Sequence, residues 1–164
     1  MSGRVLVLVH VAGAVLFLGG IAMGLFFAMR ARRSRDAHVL AHTFASLNAA
    51  DTWITTPSVL VLTLTGVVAA MRTGLPLLST GWIAWSIVAF SLSGLAFVAK
   101  VLPLQRSLAR AYGEAAGNGT AADGVSAAGS LAKAWGRWAH VSFLCAALAL
   151  ALMVLKPALP GLFR

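Results

Sequence analysis

Four apolar stretches divide the chain, and polar or basic residues gather in the connections between them. The first, Val5 to Met29, reads VLVLVHVAGAVLFLGGIAMGLFFAM and carries no formal charge. At about 1.5 Å rise per residue it is long enough to cross a hydrocarbon core of about 30 Å with some tilt. It far exceeds the apolar core of a signal peptide, so it reads as a span and not as a cleaved leader. Arg30, Arg32, Arg33 and Arg35 follow it directly. Segment 36–51 is too polar to span. On a helical wheel its Leu40, Phe44 and Leu47 fall on one side, and His38 and His42 on another. That pattern predicts either a short interfacial helix or the inward extension of the second span.

The second span covers 53–71, with Pro57 in its first turns and Thr56, Thr63, Gly66 and Ala70 as a small, mildly polar stripe. Arg72 to Pro76 reads as a turn. The third span covers 82–102, with Ser86, Ala89, Ser93 and Ala96 on one face and Pro103 as its stop. Segment 113–130 is rich in Gly, Ala and Ser, has no apolar period, and reads as a flexible loop. The fourth span covers 135–155 and halts at Lys156-Pro157, with Ala147 and Ala151 continuing the face of His140. The expectation is an all-α integral membrane protein. Residues 1–164 form one domain, a four-transmembrane-helix bundle with a short interfacial helix after the first span.

Composition supports lipid as the solvent. Of 164 residues, 60% are apolar and only 10% charged, well below the roughly 25% charged fraction of soluble domains. A soluble core of this size cannot hide so much apolar surface. The formal net charge of +9 would suggest nucleic acid in a soluble protein. Here the basic residues flank apolar spans, which is the membrane-topology pattern, so nucleic acid is not an expected partner. Cys145 is the single cysteine, which excludes an intrachain disulfide.

Charge also orients the chain. The first and third connections carry Arg30, Arg32, Arg33, Arg35, Lys100, Arg106, Arg110, Lys133 and Arg137, against Arg4, Arg72, Lys156 and Arg164 on the other side. Nine against four places both long connections in the cytoplasm and both termini outside.

One residue stands out chemically. His10 is an imidazole inside the first span, and an ionisable group at membrane depth is a functional-site candidate by default. At about 100° per residue, Gly13, Phe17, Gly20 and Gly24 share its side of the helix, with Ala14 and Ala28 alongside. A histidine above a strip of missing side chains suits a flat ligand or a close neighbouring helix. The orientation puts His10 about 8 Å below the outer edge. Its expected neighbours there are Thr65, Gly66, Trp82, Trp85, Ser86, Met153 and Lys156. His38, His42 and His140 belong to the opposite side. The i, i+4 pair His38 and His42 has metal-gripping spacing, yet no Cys or carboxylate is placed to complete a site.

The runs LVHVAGAVLFLGGIAMGLFFAMRAR, NAADTWITTPSVLVLTLTGVV, GWIAWSIVAFSLSGLAFVAKVLPLQRSLAR and WGRWAHVSFLCAALALALMVLKP cover most of the chain. They resemble an uncharacterised family of bacterial predicted integral membrane proteins, which implies a bacterial inner-membrane location. That family in turn resembles the HemJ-type protoporphyrinogen oxidases and the CopD-like membrane domain. The positions carrying the HemJ likeness are His10, Thr56-Pro57, Leu64-Thr65-Gly66, Gly81-Trp82, Arg137-Trp138 and Lys156-Pro157.

What the HemJ resemblance implies is a protein that binds heme b, with His10 as axial ligand to the iron. HemJ-type enzymes carry a histidine and a lysine just after the Gly-Trp of the third span. This chain has Ala84 and Ser86 there, so the likeness reaches heme binding more readily than oxidase chemistry. A porphyrin needs an apolar slot, an imidazole nitrogen and small residues that admit its plane. His10 with Gly13 and Gly20 would supply these, and Phe17, Thr65, Trp82 and Ser86 would line the slot. Met153 is a candidate second ligand, and Arg137, Lys133 or Lys156 a candidate propionate partner, depending on which membrane side the heme edge faces. Two other classes fit the same pattern. One is a CopD-like copper or small-solute transporter. The other is an accessory subunit whose glycine and serine stripes meet a second copy or a membrane-complex partner.

Overall fold

The computed structural model describes residues 3–118 and 121–162, nearly all of them helical. The helices are α1 (Gly3–Ser34), α2 (Ala37–Thr73), α3 (Gly81–Gly117), α4 (Ala121–Ala127) and α5 (Gly129–Leu155). Four of them, α1, α2, α3 and α5, are long and apolar enough to cross a membrane. No strand occurs among the described residues.

The turn between α1 and α2 is tight. Arg35 takes a left-handed φ of 54°. The Asp36 carboxylate then caps α2, accepting from the backbone N–H of His38 at 2.8 Å and of Val39 at 3.4 Å.

Three boundaries are decided by the structure. Of the two readings of segment 36–51, the separate interfacial helix is not found, and the extension of the second span is: it is the first part of α2, whose 37 residues run unbroken to Thr73. Likewise Pro103 does not stop the third span, because α3 continues for 37 residues to Gly117. Both continuations use the same device, a π-helical turn just before a proline: Asp51–Thr55 before Pro57, and Phe97–Val101 before Pro103. The bond that closes each turn reaches back five residues, from Thr56 N–H to Asp51 and from Leu102 N–H to Phe97. A proline ring presses on the carbonyl four residues back. Those carbonyls belong to Trp53 and Ala99, inside the widened turns, so the helix absorbs the ring without breaking.

The third concerns the expected flexible loop over 113–130. α3 extends to Gly117, α4 covers Ala121–Ala127, and α5 begins at Gly129; residues 119–120 lie outside the described residues. Alanine is the strongest helix former. Here it also packs, with Ala115, Ala128 and Ala132 buried and the backbone of Gly124 close against Ala115.

The four long helices pair differently at their two ends. At the end bearing His10, α1 packs on the 56–73 half of α2, and the 81–96 half of α3 packs on α5. Among the described residues the 56–73 and 81–96 segments make no backbone approach to each other. At the Arg-rich end the order changes, and the 37–50 and 102–117 segments meet. Small residues set the close contacts. Ser93 and Ser142, both fully buried, exchange bonds: Ser93 Oγ donates to the Ser142 carbonyl at 2.8 Å, and Ser142 Oγ to that of Ser93 at 3.1 Å. The rest of the expected third-span face, Ser86, Ala89 and Ala96, is buried too. On α5 the buried face is Ala139, Ser142, Ala146 and Ala149, and not the expected His140, Ala147 and Ala151 face.

Large apolar side chains point away from these contacts. Leu64 exposes 66% of its surface and Val154 70%. Such a surface is stable only against lipid or another apolar partner.

Candidate functional site

His10 lies where the sequence places it, on the α1 face turned to α2, but the strip beside it is filled. Its Nδ1 donates to the Leu62 carbonyl at 2.9 Å, with Thr65 Oγ1 at 3.2 Å. The Thr65 hydroxyl proton goes to the Val61 carbonyl at 2.6 Å, so its oxygen can only accept from His10. Both partners accept, so Nδ1 carries a proton, and Nε2 has no bond among the described residues. The ring edge rests on Gly66, where an added Cβ would stand 2.8 Å from Cε1.

Below it, a Cβ on Gly13 would touch Leu62 Cβ and the Ser58 carbonyl, both at 3.3 Å, and one on Gly20 would meet Thr55 Oγ1 at 3.2 Å. The missing side chains therefore admit α2. A porphyrin does not fit between α1 and α2, because the second helix occupies that slot.

The other expected neighbours separate. Phe17 is buried and meets Phe90 of α3 edge-on, ring centroids 5.7 Å apart. Trp82 and Ser86 belong to α3, where Ser86 Oγ donates to the Trp82 carbonyl at 2.6 Å. The Trp82 ring lies under the Lys156 ammonium, 5.3 Å away. Met153 lies on α5, half-buried. Arg137 is exposed, about 24 Å along α5 from Met153 at 1.5 Å per residue. It cannot share a ligand with His10. His38, His42 and His140 are exposed as well. Among the described residues no three His, Cys, Asp or Glu side chains gather to hold a metal ion.

The concentrated polar chemistry lies elsewhere, at the π-turn of α2. Asp51 opens that turn, and its carboxylate accepts from Thr55 Oγ1 at 2.9 Å and from Gln105 Nε2 at 2.7 Å. Gln105, only 2% exposed, also donates to Asn48 Oδ1 at 3.2 Å and accepts from Trp135 Nε1 at 3.0 Å. One amide thus joins α2, α3 and α5. The aromatic ring of Phe44 covers this lock, its centroid 5.2 Å from Trp135 and 5.7 Å from Tyr112.

Two cavities open onto Asp51. One, of about 60 Å³, lies against Gly20, Gly24, Thr55, Phe97 and Gln105. The other, of about 310 Å³, is lined by Asn48, Asp51, Thr52, Thr56, Leu102 and Arg106. Neither includes His10. The first has room for several waters, since one needs about 10–15 Å³ of such space. By helix rise Asp51 lies about 33 Å from the Thr73 end of α2, close to the full thickness of a hydrocarbon core of about 30 Å.

Sequence reasoning passed over Asp51, Asn48, Gln105 and Trp135. A signal existed: Asp51 is one of four acidic residues in the chain, and it abuts an apolar span, where ionisable groups are costly. Treating 36–51 as interfacial hid it.

Residues 4–157 match the model of a family described as "Predicted integral membrane protein (DUF2269)", and the chain belongs to that family. The match bears out the uncharacterised membrane family and does not extend to the HemJ-type or CopD-like likeness. No curated protein and no solved structure matches the chain.

Proposed function

We propose that the protein moves or relays protons at the membrane, as part of a small transport function, through the carboxyl of Asp51. The observation that carries this reading is the position of Asp51 between the two cavities, in a π-turn and held by Thr55 and Gln105. A carboxyl at the edge of the hydrocarbon core, half-withdrawn from water, is a functional-site candidate, and π-turns recur at functional sites. The 310 Å³ cavity has Arg106 on its wall. Toward the His10 end lie the Phe17–Phe90 contact and the Gly13–Leu62 contact. We place the Arg-rich end in the cytoplasm of a bacterial inner membrane, on the charge asymmetry of the connections.

The test is proton flux into liposomes containing the purified protein, followed with an entrapped pH dye. Wild type should dissipate an imposed pH gradient faster than protein-free liposomes, and Asp51→Asn should remove the excess. A wild-type rate equal to that of empty liposomes overturns the reading.

A second reading keeps heme b, on one observation: the Nδ1 bond to the Leu62 carbonyl leaves Nε2 as the free ring nitrogen, the arrangement typical of ligating histidines. It requires the porphyrin to approach from outside the α1–α2 contact. Protein purified with a Soret band that His10→Ala abolishes would support it. Wild-type protein that carries no heme and takes none up refutes it.

A further inference from the structure

We propose that the 310 Å³ cavity beside α2 is a binding site for the phosphoethanolamine headgroup of a phospholipid. The inference goes beyond the proton reading and needs only the charges on the cavity wall. That wall carries one acid and one base, Asp51 and Arg106. They are not joined: among the described residues Arg106 has no ion pair or hydrogen bond. Opposite charges held apart on one cavity fit a ligand bearing both signs on a short linker.

The hydroxyls sharpen the choice. Thr52 Oγ1 spends its proton on the Asn48 carbonyl at 2.9 Å, and Thr56 Oγ1 on the Asp51 carbonyl at 2.8 Å. Both oxygens therefore face the cavity as acceptors only, beside the Asp51 carboxylate. A primary ammonium offers three N–H donors and no acceptor, which matches this set of three. A quaternary choline offers none. On the other side, the Arg106 guanidinium is suited to phosphate, which it binds through paired N–H donors. An anionic glycerol headgroup would satisfy Arg106, and its hydroxyls could donate to the same acceptors, but it brings no positive charge to the Asp51 carboxylate.

Depth selects a lipid as the bearer. Trp53, next in sequence to Thr52, is 80% exposed, and by helix rise it lies about 30 Å from Thr73, at the boundary where tryptophan anchors membrane proteins. The cavity is thus level with headgroups, and Leu102 supplies an apolar wall on which the glycerol end can rest.

The experiment is native mass spectrometry of the full-length protein, released from detergent containing equal amounts of defined phospholipids. Wild type should retain phosphatidylethanolamine at least about tenfold over phosphatidylcholine, the N-monomethyl and N,N-dimethyl lipids falling between as N–H donors are lost. This series needs no mutation and so is free of folding artefacts. Arg106→Gln should lower retention of all four lipids, and Thr52→Ala, at an exposed position, should reduce the ethanolamine preference alone. Equal retention of phosphatidylethanolamine and phosphatidylcholine, or stronger retention of phosphatidylglycerol, overturns the proposal. So does displacement of the lipid by soluble glycerophosphoethanolamine at comparable concentration, which would assign the cavity to a water-soluble ligand.

Discussion

Replacing Gln105 by Leu removes the amide that joins three helices and leaves the volume nearly unchanged, so the effect reports on polar bonding and not on a cavity. Three bonds vanish: those to Asp51 at 2.7 Å, Asn48 at 3.2 Å and Trp135 at 3.0 Å. The Trp135 N–H loses its partner inside a buried site, at about 1–3 kcal/mol. The Asp51 carboxylate loses a bond of the charged class, about 1.5–3 kcal/mol, but keeps Thr55 and faces water-sized space. Membrane-embedded pairs run lower, about 0.6 kcal/mol on average and about 1.7 at most, because the unfolded chain in lipid also finds partners. The expected destabilisation is therefore about 2–4 kcal/mol. Reversible unfolding in mixed micelles by titration with a denaturing detergent measures it. In the double variant Gln105→Leu/Trp135→Phe the orphaned donor is gone, and about 1 kcal/mol should return, read as the coupling of a double-mutant cycle. A single variant within about 0.5 kcal/mol of wild type, the spread of an ordinary surface substitution, would show that the network is not a structural lock.

Gly66→Ala should destabilise by about 1–3 kcal/mol in the same assay, because the new methyl meets an imidazole that the Leu62 carbonyl holds in place. Gly94→Ala, where an added Cβ meets nothing, is the control and should be neutral or stabilising. Reporter fusions after Arg164 and within 115–126 should report opposite sides of the membrane, since α5 lies between them; the same side for both contradicts four spans. The double replacement His38→Ala/His42→Ala should leave stability and any bound cofactor unchanged, as both side chains are exposed; loss of either would place a site at that end. Gly81→Ala should detach the segment after α5, because the new Cβ would collide with the Leu159 carbonyl. Hydrogen exchange at Leu162 N–H, bonded to the Leu78 carbonyl at 2.9 Å, is the readout.

The spans were legible because a bilayer demands long uninterrupted apolar runs, and a run such as Val5 to Met29 has no other explanation. The small-residue face of α1 was legible too, from angular spacing alone. What occupies that face was not: glycines at helical spacing admit a helix or a flat ligand equally, and only the α2 backbone decided between them. Pro57 and Pro103 misled in a specific way. Proline rules assume α-helical hydrogen bonding, and a π-turn one step upstream cancels the penalty without changing the composition. The stretch over 113–130 misled because glycine and serine read as loop, and the packing of Ala115 on Gly124 that makes it helical is a tertiary contact. Gln105 was the hardest to see, since a glutamine in a mixed segment looks like solvated surface until its three partners arrive from elsewhere in the chain.

The reversal of pairing between the two ends of the bundle bears on how the protein is made. At the His10 end every close backbone contact joins helices adjacent in the chain, α1 with α2 and α3 with α5. Each pair is a hairpin that can enter the bilayer and pack as soon as its second helix leaves the ribosome. The close backbone contacts that join one hairpin to the other are those of the 37–50 segment with the 102–117 and 121–127 segments, and those of α1 with α5, with the Phe17–Phe90 and Asp51–Gln105 side-chain contacts beside them. The first hairpin is therefore available before the rest of the chain is made. α5 arrives last, closing the second hairpin and bringing Trp135, the last partner of Gln105. A chain truncated before Trp135 should insert three spans, with the 81–96 half of α3 left without its partner helix.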